Sequence, residues 1–195
     1  MKKTLLLTAA LASVALYGCT SSHAPGQPMP RLTFENYQPM TLNVQSSNVV
    51  EAYSVQNDPQ DVASQFVMAP SEAVKRYVAR RFPATGMGDG HFTVAIEDAR
   101  VHMRSIDQAN KVLGWSGIGK EDEYRVMLRL KVTPLPNGAR GAASTMLKYD
   151  RTIVMPASVT LAQREERQLK FLEELMRDVD QAITTALNDV PNIRQ

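Results

Sequence analysis

The chain has 195 residues, of which 44% are hydrophobic and 22% charged. That balance fits one folded domain with appendages and excludes a disordered, collagen-like or polytopic membrane chain. Lys and Arg total 22 against 20 Asp and Glu, and setting aside Lys2 and Lys3 of the leader described next leaves 20 against 20, so the basic surplus of a nucleic-acid binder is missing.

The chain starts with a positive pair, Lys2 and Lys3, followed by fifteen uncharged residues from Thr4 to Gly18. A membrane-spanning helix needs ~20 apolar residues. This run is shorter, and Thr4, Thr8 and Ser13 dilute it. The pattern predicts an export signal over residues 1–18. It ends Leu16-Tyr17-Gly18-Cys19, and Cys19 is the chain's one cysteine, which excludes a disulfide framework and a multi-cysteine zinc site. The ending resembles the lipobox of bacterial lipoproteins: an aliphatic residue, a variable one, a small one, then cysteine. Tyr17 is bulkier than the usual occupant of its position. The resemblance implies cleavage before Cys19 and a diacylglycerol on its thiol, with an acyl chain on the new amine. Two or more acyl chains are what stable membrane anchoring requires. In that family an Asp after the cysteine retains the protein at the inner membrane. Thr20 therefore implies the inner leaflet of the outer membrane, with the body facing the periplasm.

Residues 19–31 are predicted to be the lipidated cysteine and a flexible tether. Pro25, Pro28 and Pro30 among Ser and Gly build no packed element. Extended at ~3 Å per residue, the tether would hold the body roughly 30 Å from the membrane. His23 within it reads as solvated.

The body is expected over residues 32–190, with 191–195 as a tail. Met40 to Val55 reads as one or two strands around a polar break at Ser46-Ser47-Asn48, and Gln56 to Ala69 as loop. Pro70 to Phe82 is predicted helical. Pro70 suits the first turn, and Val74, Tyr77, Val78 and Phe82 form one apolar stripe. Phe92, Val94 and Ile96 alternate, and Ala99, Val101 and Met103 continue on the opposite parity. A strand changes face only through an irregularity, so a bulge is predicted near Asp98. Tyr124 to Val132 alternates with the charged Glu123, Arg125, Arg129 and Lys131, giving one buried face and one wet face. Thr145 to Met155 is a further strand, ending at Pro156. Thr160 to Asn188 is a long helix opened by the capping box Thr160-Leu161-Ala162-Gln163. Leu169, Leu172, Met176, Val179, Ile183 and Leu187 line its buried side. The predicted fold is α+β: a single antiparallel sheet of about four strands with two helices on one face.

Candidate chemistry is sparse. Gly114-Trp115-Ser116-Gly117-Ile118-Gly119-Lys120-Glu121 nearly matches a phosphate-binding loop. However, Glu121 replaces the hydroxyl residue that would hold magnesium, and a strand rather than a helix follows. The same glycine-rich loop carries the only tryptophan, Trp115, with Ile118 nearby. This is either an interaction surface or an apolar plug over the sheet edge. Lys75, Arg76, Arg80 and Arg81 form a basic patch that meets lipid phosphates or is a solvated helix face offset by acids. His91 and His102 have no ligand-spaced partner, and no nucleophile motif is present, so no catalytic residue, metal or cofactor is assigned. The ten methionines read as core filler.

In layout the body is similar to uncharacterised putative lipoproteins of alphaproteobacteria, over Phe92 to Ser105, Tyr124 to Val132 and Leu161 to Leu187. Ile96-Glu97-Asp98-Ala99, Ala69-Pro70-Ser71-Glu72-Ala73 and Arg164-Glu165-Glu166 carry that similarity. Lipobox and body together also resemble the auxiliary lipoproteins of ABC transporters and the lipoprotein subunit of the lipopolysaccharide-assembly translocon. These resemblances imply a non-enzymatic accessory or binding module held at the membrane by its lipid anchor, with another envelope protein or lipid as partner. The alternatives are a lipid or lipopolysaccharide transport component with an apolar cavity between helices and sheet, and an envelope hydrolase.

Overall fold

The computed structural model describes residues 32–54, 58–107 and 120–195. Cys19, the tether, Trp115 and Ile118 lie outside the described residues.

Alternating residues build the centre of the sheet. β2 (His91–Asp107), β3 (Lys120–Leu135) and β4 (Thr145–Pro156) form an antiparallel meander. Val94, Ile96, Val101, Val126, Leu128 and Leu130 point to one face and are buried. The predicted irregularity is present: the β2–β3 register shifts between Ile96 and Asp98, so Ala99 and Val101 return to the buried face. The other β3 parity, Arg125, Arg129 and Lys131, is exposed.

The first strand departs from the reading of the sequence. β1 (Ser46–Glu51) begins at the polar triplet expected to break it. It pairs parallel with β2, from Ser46 opposite His91 to Glu51 opposite Ile96. The sheet is therefore mixed, in the order β1-β2-β3-β4. A parallel pair needs a crossover connection, and helix α1 (Pro70–Arg81) supplies it. Edge position on a sheet covered on one face explains the polarity of β1, because only Val49 packs toward the core.

α1 buries Ala73, Val74, Tyr77 and Val78, with Phe82 just past its end. α2 (Leu161–Asn188) buries the predicted stripe and adds Leu175. Its capping box is closed: the Gln163 amide donates to the Thr160 hydroxyl at 3.3 Å, and the Thr160 amide donates to the Gln163 side chain at 3.1 Å. Both helices lie on the buried sheet face, giving two layers with one core. An aromatic chain fills one end of that core. Tyr77 meets Phe34, Tyr37 and Phe82 edge-on at 5.5–5.8 Å, and Phe82 meets Phe92 at 5.3 Å. Asp180 ties the helices together, accepting from the Tyr77 hydroxyl at 2.6 Å and from Arg81 Nε at 2.8 Å. Burial and the neighbouring Asp180 carboxylate push the Tyr77 hydroxyl far above its ordinary pKa.

Residues 191–195 are not a free tail. Asn192 takes a left-handed turn (φ 58°) after Pro191, and Ile193 enters the core. The Asn43 amide donates to the Ile193 carbonyl at 2.8 Å, and the Gln195 amide to the Thr41 carbonyl at 3.3 Å.

Candidate functional site

The sheet's helix-free face carries the candidate site. β1 reaches only as far as Ile96 of β2. Beyond the bulge, the segment Asp58–Val62 takes over the β2 edge. The Val62 amide donates to the Val101 carbonyl at 2.7 Å, and the Val101 amide donates to the Asp61 carboxylate at 3.0 Å. The next residues outward, Arg100 and His102, project from the helix-free face toward Asp58. Arg100 clamps Asp98 through two hydrogen bonds of 2.8 Å and reaches Asp58 at 3.1 Å. His102 Nε2 lies 2.8 Å from the same Asp58 oxygen.

Electrostatics follow from this geometry. The His102 hydrogen bond, with those from the Gln60 amide and Arg100, holds the Asp58 carboxyl below the usual range. Asp98 is 5% exposed. Burial pushes its carboxyl up, but the Arg100 hydrogen bonds and charge outweigh burial and hold it low. Across the face, Arg125 donates to Asp150 at 2.8 Å and depresses that carboxyl too. Arg104 contacts Glu123 at 2.6 Å. Among the described residues, Arg129, Lys131 and Lys148 make no ion pair.

These side chains line open depressions. One of about 780 Å³ lies between the Asp58–Val62 segment and the strands, and is walled by Gln60, Val62, His102, Arg104, Arg125 and Thr152. Two of about 290 Å³ flank the Arg100 clamp, one toward Lys148 and one toward Tyr53. A surface of alternating charges with polar walls suits a charged polar partner better than an acyl chain. Among the described residues, the centre of the space between helices and sheet, where a lipid carrier needs a chamber, is filled. A cavity wide enough for an acyl chain would leave accessible area on its walls, and Leu42, Phe92, Leu130, Met176 and Ile183 have none.

His102 holds an acid on one ring nitrogen, as a general base does. No hydroxyl is hydrogen-bonded to its ring among the described residues. Nor do any three His, Cys, Asp or Glu side chains among them cluster as metal ligands. None of the described helices is long and apolar enough to cross a membrane.

The basic patch of α1 is divided among acids. Lys75 pairs with Glu51 at 3.0 Å, Arg76 with Glu72 at 2.8 Å, and Arg81 with Asp180 at 2.8 Å. Arg80 is exposed and makes no ion pair among the described residues. Lys120 and Glu121 open β3, so a strand does follow the glycine-rich loop.

Sequence reasoning passed over Asp58, Arg100 and Asp150. The signal available was the parity reversal at Asp98. It puts Arg100, His102 and Arg104 on the face opposite Ala99 and Val101, and so beside the charged parity of β3.

No protein-family model matches the chain, and no curated protein matches it. Among solved structures, the chain is similar to rare lipoprotein B from Shewanella oneidensis. Identity there is 8% and the TM-score 0.35, over 72% of this chain and 98% of that one. It is also similar to a minor lipoprotein from Acinetobacter baumannii, at 9% identity and a TM-score of 0.37, over 78% of this chain and 98% of that one.

Proposed function

We propose that this chain is a lipid-anchored, non-enzymatic module of the bacterial envelope. Cys19 carries the anchor at the inner leaflet of the outer membrane, and the helix-free face of the sheet binds another envelope protein. One observation carries the binding assignment. The helices cover the β2 and β3 residues of one sheet face, while the opposite face presents a charged groove of about 780 Å³ built over an organised ion-pair network. A structural role alone requires only one covered face. The network fixes the directions of Arg100, His102 and Arg125 in advance, which lowers the ordering cost of binding.

The test places a photocrosslinking amino acid at Gln60 or Arg104 in the full chain, in its own membrane. A defined protein adduct from both positions, and none from Arg80 on α1, is the expected result. Adducts to lipid alone, or equal adducts from Arg80, overturn the assignment. The anchor is tested separately by labelling with a fatty-acid analogue. Label that persists in Cys19→Ala overturns the anchor and with it the membrane address.

A further inference from the structure

The outer edge of the sheet points to a second copy of the same chain. β4 is the last strand in the order, and its pairing with β3 runs without a register break from Val132 opposite Thr145 to Glu121 opposite Pro156. Edge strands are normally blunted by bulges, prolines or cover. β4 has no bulge, its one proline is the terminal Pro156, and no described element lies across its free side. Its helix-free face reads Met146, Lys148, Asp150, Thr152, Val154, with Met146 and Val154 exposed at 41% and 43%.

We propose that two copies pair through β4, antiparallel about a two-fold axis at Tyr149, to make one continuous eight-stranded sheet. Charge selects the register. A two-fold axis normal to the sheet brings a single residue opposite its own copy. With the axis at residue 148, Lys148 faces Lys148. At 150, Asp150 faces Asp150, and at 151, Arg151 faces Arg151. Like charges directly opposite are unfavourable. At 149 the neutral Tyr149 sits on the axis, and Lys148 of each copy stands opposite Asp150 of the other. Met146 then stands opposite Thr152 and lies diagonal to Val154 of the second copy, so the exposed apolar residues at the strand ends cover one another.

Two features of the single chain fit this pairing. Lys148 lies opposite Arg129 of β3, a like charge, and has no carboxylate partner among the described residues. Asp150 holds Arg125, and a carboxylate has acceptor sites to spare for a second cation. Beside the edge, a depression of about 590 Å³ runs between β4 and α2, lined by Tyr149, Arg151, Gln181, Ala182 and Ala186. The small alanines leave room for the helix-side residues of an added strand. The interface is isologous and closes on itself, so the assembly stops at two. It uses the free edge of β4. Asp150 and Thr152 also line the groove walled by Gln60 and Arg104, but Gln60 and Arg104 take no part in the pairing, which stands whether or not that groove binds a partner.

Sedimentation of the full chain in detergent, over a wide concentration range, tests the pairing. The wild type is expected to reach the mass of two copies. Lys148→Asp alone and Asp150→Lys alone should each weaken association by about tenfold or more. Mixing the two variants should restore it, because each then meets the opposite charge. A wild type that stays single at every concentration, variants that associate like the wild type, or a mixture that fails to recover overturns the proposal. Should Asp150→Lys unfold through loss of the Arg125 contact, co-expressed Lys148→Cys and Asp150→Cys chains decide. A disulfide stronger in the pair than in either alone supports the register. Its absence, or a link to a different protein, overturns it.

Discussion

The two faces of the sheet are made from the same strands by opposite rules. On the helix side, neighbours along β3 are Tyr124, Val126, Leu128, Leu130 and Val132, all buried. One residue along, on the other side, stand Arg125, Arg129 and Lys131, all exposed. The helix side gains stability from area removed from water, which is indifferent to direction. The open side gains little from its exposed ion pairs, which contribute at most about 1 kcal/mol each. What those pairs provide is direction: guanidinium and imidazole groups held in fixed places. Stability and the proposed recognition are thus separated by a single step along the chain.

Four measurements would break or sharpen that contrast. The largest effect is expected from Phe82→Ala, which empties the centre of the aromatic chain. Denaturant unfolding should show a loss of about 3–5 kcal/mol. Arg100→Ala comes next, because it leaves Asp98 near the bulge without its hydrogen-bonded cation. A third of the Arg100 side chain is exposed, so the loss should be about 1–2 kcal/mol, less than for a fully buried pair. This loss should depend on pH. Asp58, Asp98 and Asp150 are held below the usual carboxylate range. Their contribution is complete above the unfolded value of about 4 and is lost as pH falls through their own lower values. The gap between wild type and Arg100→Ala should therefore be full at neutral pH and close in acid. A gap that widens in acid would contradict the assigned clamp.

Thr160→Ala removes the capping box and should cost about 1 kcal/mol, read as a lower melting temperature. The smallest effect on stability is expected from Arg125→Ala, whose side chain is more than half exposed. Its melting temperature should match the wild type, while crosslinking from Gln60 falls. A large drop in melting temperature would place Arg125 in the scaffold and not in the binding face.

Much of this organisation is written in local patterns. The spacing of Val74, Tyr77, Val78 and Phe82 defines α1, and Thr160 with Gln163 marks the start of α2. The parity change after Ile96 locates the bulge because side-chain direction in a strand has only two values. What escapes is long-range. The polar Ser46-Ser47-Asn48 looks like a break because a half-covered edge strand needs few apolar residues. Its parallel pairing depends on a crossover that no local pattern encodes. Asp58 reads as a loop breaker, yet its partners Arg100 and His102 lie 42 and 44 residues away. The site is assembled by register, and register is a property of the folded sheet.

The junction of the Asn43 and Ile193 segments has a kinetic consequence. Asn43 and Asn192, separated by 149 residues, are hydrogen-bonded, and Ile193 completes the core beside Leu42. A polypeptide threaded across a membrane from its amino end delivers the Asn43 segment first and its latch last. Under the export proposed above, the domain would close only once Ile193 has crossed.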